Sequence, residues 1–350
     1  MPINLAKAGM TKHKPLQFLP GSIYCPQAKV HIDPWRIVDY AIVTHAHSDH
    51  ARPGCKHYLA HKDSEAILRQ RLGKNISLQT VEYGETFHIN GVQFSLHPAG
   101  HIIGSAQVRV EQAGEVWVAG GDFKLEDDGF SAAFEPVKCH TFISESTFGL
   151  PVYDWQPQAD IFADIRAWIM QNHLQGKASI LMGYALGKMQ RLIHNLQPFP
   201  VPVYAHGSVY NVNELLRDAG FNLPYIPSVA EETDKKRLKG ALVLAPGMSV
   251  GDAWLKRFEP YSTASCSGWM ALRGAKNRSA VDRGFALSDH ADWKGLNTAV
   301  TESGAEMVYV THGYTHIFAR WLNEKGIQAA ELKTHYGDES AEEAPEEALP

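Results

Sequence analysis

The chain has 350 residues, enough for one large domain or two ordinary ones. Hydrophobic residues make up 44% and charged residues 20%, the balance of a globular protein with a buried core. No apolar run approaches the ~20 residues of a membrane span, so a membrane partner is not expected.

The formal charge of −5 argues against a nucleic-acid ligand until its distribution is read. Asp338, Glu339, Glu342, Glu343, Glu346 and Glu347 crowd the segment 338–350, which has no Lys or Arg, and they leave a body of about +1. That acidic segment lacks hydrophobic periodicity and is expected to be disordered. Residues 1–14 lack the apolar stretch of a secretory signal, and Cys25, Cys55, Cys139 and Cys266 form no CxxC pair. Free thiols in a cytoplasmic protein are expected.

In chain order, short strands end in polar loops. Residues 41–43 are apolar and end at Thr44-His45. Val92, Phe94 and Leu96 alternate with polar residues before Pro98-Ala99-Gly100-His101. Val116 and Val118 alternate before Gly120-Gly121-Asp122, and Phe142-Ile143 leads to Glu145. Strands of this kind feed side chains into a site from their ends. In the middle, buried strands are expected at 179–182, 201–205 and 241–245, with helices at 187–196 and 209–219, the alternation of a parallel α/β sheet. Strands follow at 284–287 and 307–310, with helices at 293–302 and 317–325, the second closed by Gly326.

The strongest chemical signal is Thr44-His45-Ala46-His47-Ser48-Asp49-His50. Imidazole and carboxylate are good zinc ligands. In extended chain, residues two apart point the same way, so His45 and His47 can hold one ion together. Asp49 and His50 follow the turn and can face a second. Two adjacent ions need more ligands, and His101, Asp122 and His312 stand at other strand ends, Asp122 as a candidate bridge. Two cations ~3.5–4 Å apart can clamp a phosphodiester and acidify water.

These residues resemble the ligand set of the metallo-β-lactamase fold. Ser144-Glu145-Ser146-Thr147, Ser288-Asp289-His290-Ala291-Asp292 and Thr311-His312-Gly313 are similar to the added motifs of its nucleic-acid-processing branch, the β-CASP nucleases. Ile32-Asp33-Pro34-Trp35, residues 98–106, Glu145 to Pro151, Ser267-Gly268-Trp269-Met270 and residues 287–293 look closest to bacterial ligase-associated DNA damage response exonucleases. The resemblance covers roughly residues 20–337. It implies an αββα sandwich interrupted by an inserted β-CASP-like α/β domain. The expected division is 1–150 and 281–337 for the metallo-β-lactamase domain, 151–280 for the insert, and 338–350 for the acidic tail.

The resemblance further implies two zinc ions, with manganese as a possible substitute. His45, His47 and His101 would hold one ion, Asp49, His50 and His312 the other, and Asp122 would bridge. Asp33 would orient ligands. With Asp49, His290 as proton donor and Glu145, orienting either His290 or a metal ligand, complete the expected catalytic set. The implied activity is exonuclease cleavage of DNA ends or single strands in repair, alongside an ATP-dependent DNA ligase and a helicase. The alternatives are an RNA-processing nuclease of the same fold and, further off, a small-molecule metallo-hydrolase.

Gly183-Tyr184-Ala185-Leu186-Gly187-Lys188 is one residue short of a P-loop and has Met189 where Ser or Thr is needed, so ATP binding is rejected. Lys188 at the helix start remains a candidate phosphate contact. Arg273, Lys276, Arg278 and Arg283 form the densest basic run, flanked by Trp269 and Trp293. Arginines on phosphates and rings on bases suit a single strand. Lys235-Lys236-Arg237 reads as a solvated face.

Overall fold

The computed structural model describes residues 14–232, 234–247, 252–272 and 280–332. The described strands form three sheets. The first has six strands in chain order: β1 (Gln17–Leu19), β2 (Ser22–Cys25), β3 (Val30–Ile32), β4 (Tyr40–Ile42), β5 (His57–His61) and β6 (Leu78–Val81). Pairing is antiparallel as far as β3 and parallel from there on. Helix α1 (Glu65–Leu72) connects β5 to β6.

The second sheet contains β7 (Thr86–Ile89), β8 (Val92–Pro98), β9 (Ala106–Gln112), β10 (Glu115–Ala119) and β11 (Thr141–Glu145). It is completed by β17 (Met307–Thr311) and the edge strand β18 (Gln328–Glu331). Alternation explains why β8 faces the core: Val92, Phe94 and Leu96 are buried, and they meet Val108 and Val110 of β9 and Trp117 of β10. The same apolar cluster takes Ile23, Val30, Ile32, Ile42, Leu59 and Val81 from the first sheet, so the two sheets share a core. On the other face, Phe142, Val308 and Val310 pack against Leu296 and Val300 of α7 (Trp293–Ser303) and Phe318 and Leu322 of α8 (Thr315–Glu324).

Strand direction positions the site. Strands β10, β11 and β17 are parallel neighbours, with Ala119 opposite Ile143 and Glu145 opposite Thr311. Parallel strands end at the same edge, so Asp122, Glu145 and His312 leave the sheet side by side. Strand β4 ends at Ile42, and the Thr44 carbonyl accepts from Ala106 N at 2.8 Å, which brings the 44–50 segment to that edge.

The third sheet is all parallel. Its order is β13 (Val203–Ala205), β14 (Leu242–Ala245), β12 (Ala178–Met182), β15 (Tyr261–Cys266) and β16 (Arg283–Phe285). Strands β12 and β14 are buried throughout, as strands covered on both faces must be. Helices α2 (Gln158–Leu174), α3 (Lys188–Asn195) and α4 (Gly207–Asp218) pack here. Strand β16 carries this sheet a few residues past the expected boundary at 280. The basic segment 235–237 lies in a short helix, α5 (Lys235–Leu238), and α6 (Asp252–Leu255) follows. One apolar cluster joins Ile67 and Leu68 of α1 and Ile102 and Ile103 to Met189 and Leu192 of α3, so this layer abuts the polar edge.

All four cysteines are free and buried. Among the described residues, no helix is long and apolar enough to cross a membrane. Arg273, Lys276, Arg278 and the 338–350 segment lie outside the described residues.

Phe94 is fully buried between the first and second sheets. Phe94→Ala should cost about 3–5 kcal/mol through lost burial and the cavity left behind. A denaturant midpoint within error of the parent would show that this core does not govern unfolding.

Candidate metal centre

The centre is built around Asp122, a buried carboxylate at the end of β10. Its Oδ2 lies 3.4 Å from His50 Nε2, 3.6 Å from His45 Nε2 and 3.9 Å from His101 Nε2. His101 Nε2 is 3.1 Å from His47 Nδ1, and His50 Nε2 is 3.4 Å from Asp49 Oδ2. Ligand atoms of His45, His47, His101 and Asp122 form one group within 4.8 Å of one another. Those of His50, Asp122 and His312 form a second, and those of His45, Asp49 and His50 a third. All seven candidate ligands from the sequence therefore converge.

The outer nitrogens explain the aim of the inner ones. His101 Nδ1 faces the Asp289 carbonyl at 2.8 Å, and His47 Nε2 faces the Leu186 carbonyl at 3.3 Å. A carbonyl only accepts, so the proton sits outside and the inner nitrogen keeps its lone pair. Asp33 does the same for His50, with Oδ2 2.7 Å from Nδ1. Asp33 also accepts from Thr44 N at 2.8 Å and Thr44 Oγ1 at 2.6 Å. That hydroxyl, committed as a donor to Asp33, accepts from His45 Nδ1 at 3.1 Å. His312 Nδ1 pairs with Thr311 Oγ1 at 2.7 Å.

The backbone is bent to suit. Asp33 and His312 have φ of 44° and 54°, left-handed values that cost a non-glycine residue roughly 1 kcal/mol or more and collect at functional sites. Gly313 follows with φ of 66°, and a Cβ there would fall 2.4 Å from the Ser146 carbonyl oxygen.

These groups fit divalent ions. Ligand atoms held about 2.1 Å from a tetrahedral ion stand about 3.4 Å apart, close to the spacings here. His45 Nε2 and Asp122 Oδ1 are buried with no hydrogen-bond partner among the described residues, an expense that a bound cation removes. The protonation pattern agrees. Burial lowers the pKa of His45 and His47, and burial with the nearby His290 and His47 takes His101 down to about 3. Neutral imidazole is the form that binds metal. Burial also works against charge on His50, but Asp122, Asp49 and Asp33 outweigh it and raise its pKa well above the ordinary value. Reciprocally, His50 outweighs the burial of Asp122 and holds that carboxyl well below its usual range. The pocket already favours positive charge beside Asp122.

Beside the ligands, Glu145 at the end of β11 accepts from Phe123 N at 2.7 Å and faces His290 Nδ1 at 2.9 Å. Asp122, Glu145 and His290 form another convergent group. A carboxylate on Nδ1 leaves Nε2 as the working face of His290. The ring is half-buried, 4.6 Å from that of His101, and its carbonyl accepts from Trp155 Nε1 at 3.1 Å. A cavity of about 290 Å³, lined by Lys124, Glu126, Trp155, His290 and Asp292 among others, opens here.

The sequence reading assigned no role to Asp289 or Arg191. Asp289 is buried between two cations of α3, with Oδ2 2.9 Å from Lys188 Nζ and Oδ1 3.1 Å from Arg191 Nη1. They outweigh its burial and keep it ionised, with its pKa below the usual range. Lys188 also donates to the Leu287 carbonyl at 2.8 Å, and Arg191 to the Ser288 carbonyl and, at 2.6 Å, to Gln158 Oε1. This network fixes residues 287–290, and with them both the His101 acceptor and His290. Basic residues at i and i+3 within the apolar face Met189, Leu192 and Ile193 were the signal available.

It also corrects the expectation for Lys188, whose ammonium is buried and spent on Asp289 rather than turned to a phosphate. Trp269 packs against Phe148 in a tilted arrangement, ring centres 5.0 Å apart, and is half-buried. Trp293 packs against Phe318 and Trp321 in the core below α7. Arg283 is exposed, 3.9 Å from Asp164.

No family model matches the chain. Over 310 residues it is 31% identical to an Opitutus terrae protein named Probable DNA ligase, covering 88% of this chain and 30% of that one. It is 27% identical over 161 residues to Endoribonuclease YSH1 of Saccharomyces cerevisiae, covering 45% of this chain and 20% of the relative. With Cleavage and polyadenylation specificity factor 73 of Drosophila melanogaster the identity is 29% over 157 residues, 42% of this chain and 22% of the relative. Curated relatives of this chain include endoribonucleases. The chain spans less than a third of the length of each of these relatives. A solved structure of a protein of unknown function from Enterococcus faecalis V583 shares the fold, with a TM-score of 0.58 at 12% identity over 86% of this chain and 80% of that one.

Asp122 stands in two of the ligand groups and touches both halves of the cluster. Asp122→Ala should therefore lower metal content more than Asp49→Ala, whose side chain is about a third exposed. Elemental analysis should find about two ions per parent chain, in line with the ligand count. One ion in the parent, or equal loss in the two variants, would refute the shared role of Asp122.

Proposed function

We propose that the chain is a dinuclear-metal phosphodiesterase of the β-CASP branch of the metallo-β-lactamase fold, acting on DNA as an exonuclease in repair. The observation that carries this reading is the convergence of five imidazoles and the Asp49 carboxylate around Asp122, next to the His290–Glu145 pair. On this reading residues 1–150 and 281–337 form an αββα sandwich and 151–280 an inserted domain, to whose sheet the edge strand β16 just past that boundary also belongs. The two sheets with a common core and helices α7 and α8 on the outer face support it.

His45, His47 and His101 would hold one zinc, and Asp49, His50 and His312 the other, with Asp122 between them. Bound there, the ions supply Lewis acidity to a scissile phosphate and make water a nucleophile near neutral pH. The protein's own groups do the rest. Asp33 and the 186 and 289 carbonyls keep the imidazoles aimed inward. Glu145 holds His290 Nδ1, so that Nε2 delivers a proton to the departing oxygen.

The long match to a protein named Probable DNA ligase favours DNA and a ligase partner. The match to endoribonucleases favours RNA processing as the second reading. Trp269 and Arg283 would follow the strand on the side of the third sheet, and Arg273 and Arg278 are further proposed contacts.

His290→Ala should slow cleavage of an ordinary strand by about 10²–10⁴-fold, the span of a general acid. It should slow an aryl phosphodiester far less, because a nitrophenolate departs without a proton. Equal losses on both would remove His290 from the proton-transfer role. A linear single strand should be degraded while a circular one of the same sequence survives. Rapid cutting of the circle would refute exonuclease action, and RNA degraded well ahead of matched DNA would install the RNA reading.

A further inference from the structure

Of the expected nucleic-acid contacts, Trp269 and Arg283 lie beside the third sheet. A different strip of surface lies where residues 35–40 and 52–57 run together. Cys55 Sγ lies 4.0 Å from the Arg36 carbonyl, Lys56 N donates to the Val38 carbonyl at 3.2 Å, and His57 N to the Asp39 carbonyl at 2.9 Å. At the near end the Arg52 guanidinium sits 4.0 Å over the Trp35 ring. At the far end Tyr40 and His57 stack at 4.8 Å and 20°, both exposed. The near end is tied to the metal centre, because Asp33, two residues before Trp35, bonds His50, two residues before Arg52.

Charge distinguishes this strip from ordinary surface. Arg36 is exposed, and neither it nor Arg52 has an ion-pair partner among the described residues. Arg52 Nε is buried without an acceptor. The strip's one exposed carboxylate, Asp39, is taken by Lys56 at 2.7 Å. Between the arginines and the stacked rings, Ile37 is 72% exposed. Two uncompensated guanidiniums, an exposed aliphatic side chain and a ring pair, laid out in line from a centre suited to phosphodiesters, match the alternating phosphates and bases of a single strand. A folded acidic protein would leave the rings and Ile37 without a matching partner.

We infer that residues 35–40 and 52–57 form a second strand-binding track, in which Arg36 and Arg52 hold backbone phosphates and the Tyr40–His57 pair stacks a base. This rests on the nuclease reading above. Arg52 keeps its ring stack on Trp35 and offers its outer N–H groups, the geometry by which arginine binds phosphate in two places at once.

The test is a fluorescence-anisotropy titration of labelled oligothymidylate and matched oligouridylate, run in the slow-cutting His290→Ala background so that the strand outlasts the measurement. Arg36→Ala with Arg52→Ala should weaken binding about 10-fold and flatten the log–log salt dependence by about 1.4, because each single-strand phosphate contact contributes about 0.7. Arg36→Glu changes an exposed side chain only and should weaken binding further, which keeps the test valid if loss of Arg52 disturbs its loop. Tyr40→Ala should weaken binding about 10-fold at every salt concentration, as lost base stacking does. Lys235→Ala with Lys236→Ala, on the short helix α5, should bind like the parent. If the parent binds and the arginine variants share its affinity and salt slope, the track is refuted and the nuclease reading stands. If the parent binds neither strand, the nuclease reading falls and the track with it. The two oligonucleotides, with oligodeoxyuridylate as the control for the thymine methyl group, report which sugar the track prefers.

Discussion

A carboxylate buried among imidazoles is the constraint on which the rest of this structure depends. Asp122 is 5% exposed, and an isolated carboxylate so placed would shed its charge. It stays ionised because His50 is beside it, and His50 in turn is held by Asp33. His50 thus links the two carboxylates, with Nδ1 on Asp33 and Nε2 beside Asp122. Thr44 locks the arrangement by donating both its N–H and its hydroxyl to Asp33. A cation-binding pocket results, in which each imidazole with a carbonyl or carboxylate behind it has its orientation fixed from outside.

Strand polarity makes that pocket possible. Three parallel neighbours, β10, β11 and β17, stop at one edge and release Asp122, Glu145 and His312 there. Strand β4 of the first sheet brings the histidine run to the same edge. An antiparallel neighbour in place of any one of them would send its terminal residue to the opposite end of the sheet. Left-handed backbone at His312 and Gly313 then turns the last ligand inward, and the Ser146 backbone fills the space a Cβ on Gly313 would need.

The ligands were legible because they obey a local rule: a polar residue directly after an apolar run, next to glycine. His101, Asp122 and His312 do so, and His45 to His50 follow the apolar run 41–43 without a neighbouring glycine. Strand order was legible only as an α/β tendency, since pairing partners such as β11 and β17 are separated by more than 150 residues of chain. Helix α2 was not among the expected elements although Ile161, Ile165 and Ile169 repeat every four residues. The misreading of Lys188 has a tertiary cause. A lysine opening a helix after a glycine-rich turn looks like a phosphate ligand when its carboxylate partner lies about a hundred residues downstream.

That partner changes what the third sheet does for the centre. Two buried cations on α3 cost several kcal/mol of desolvation each, which ion pairing with a single buried Asp289 offsets only when geometry and further hydrogen bonds are good. Those further bonds go to the carbonyls of Leu287 and Ser288 and to Gln158. The expense therefore secures one short segment, 287–290, from three directions. One residue of that segment supplies the carbonyl that orients His101, and the next is His290 on Glu145. A layer that served only to widen a substrate surface would have no need of buried charge at this point. Here α3 acts as a brace for the metal centre, so movement of the third sheet would be felt first as rotation of two imidazoles.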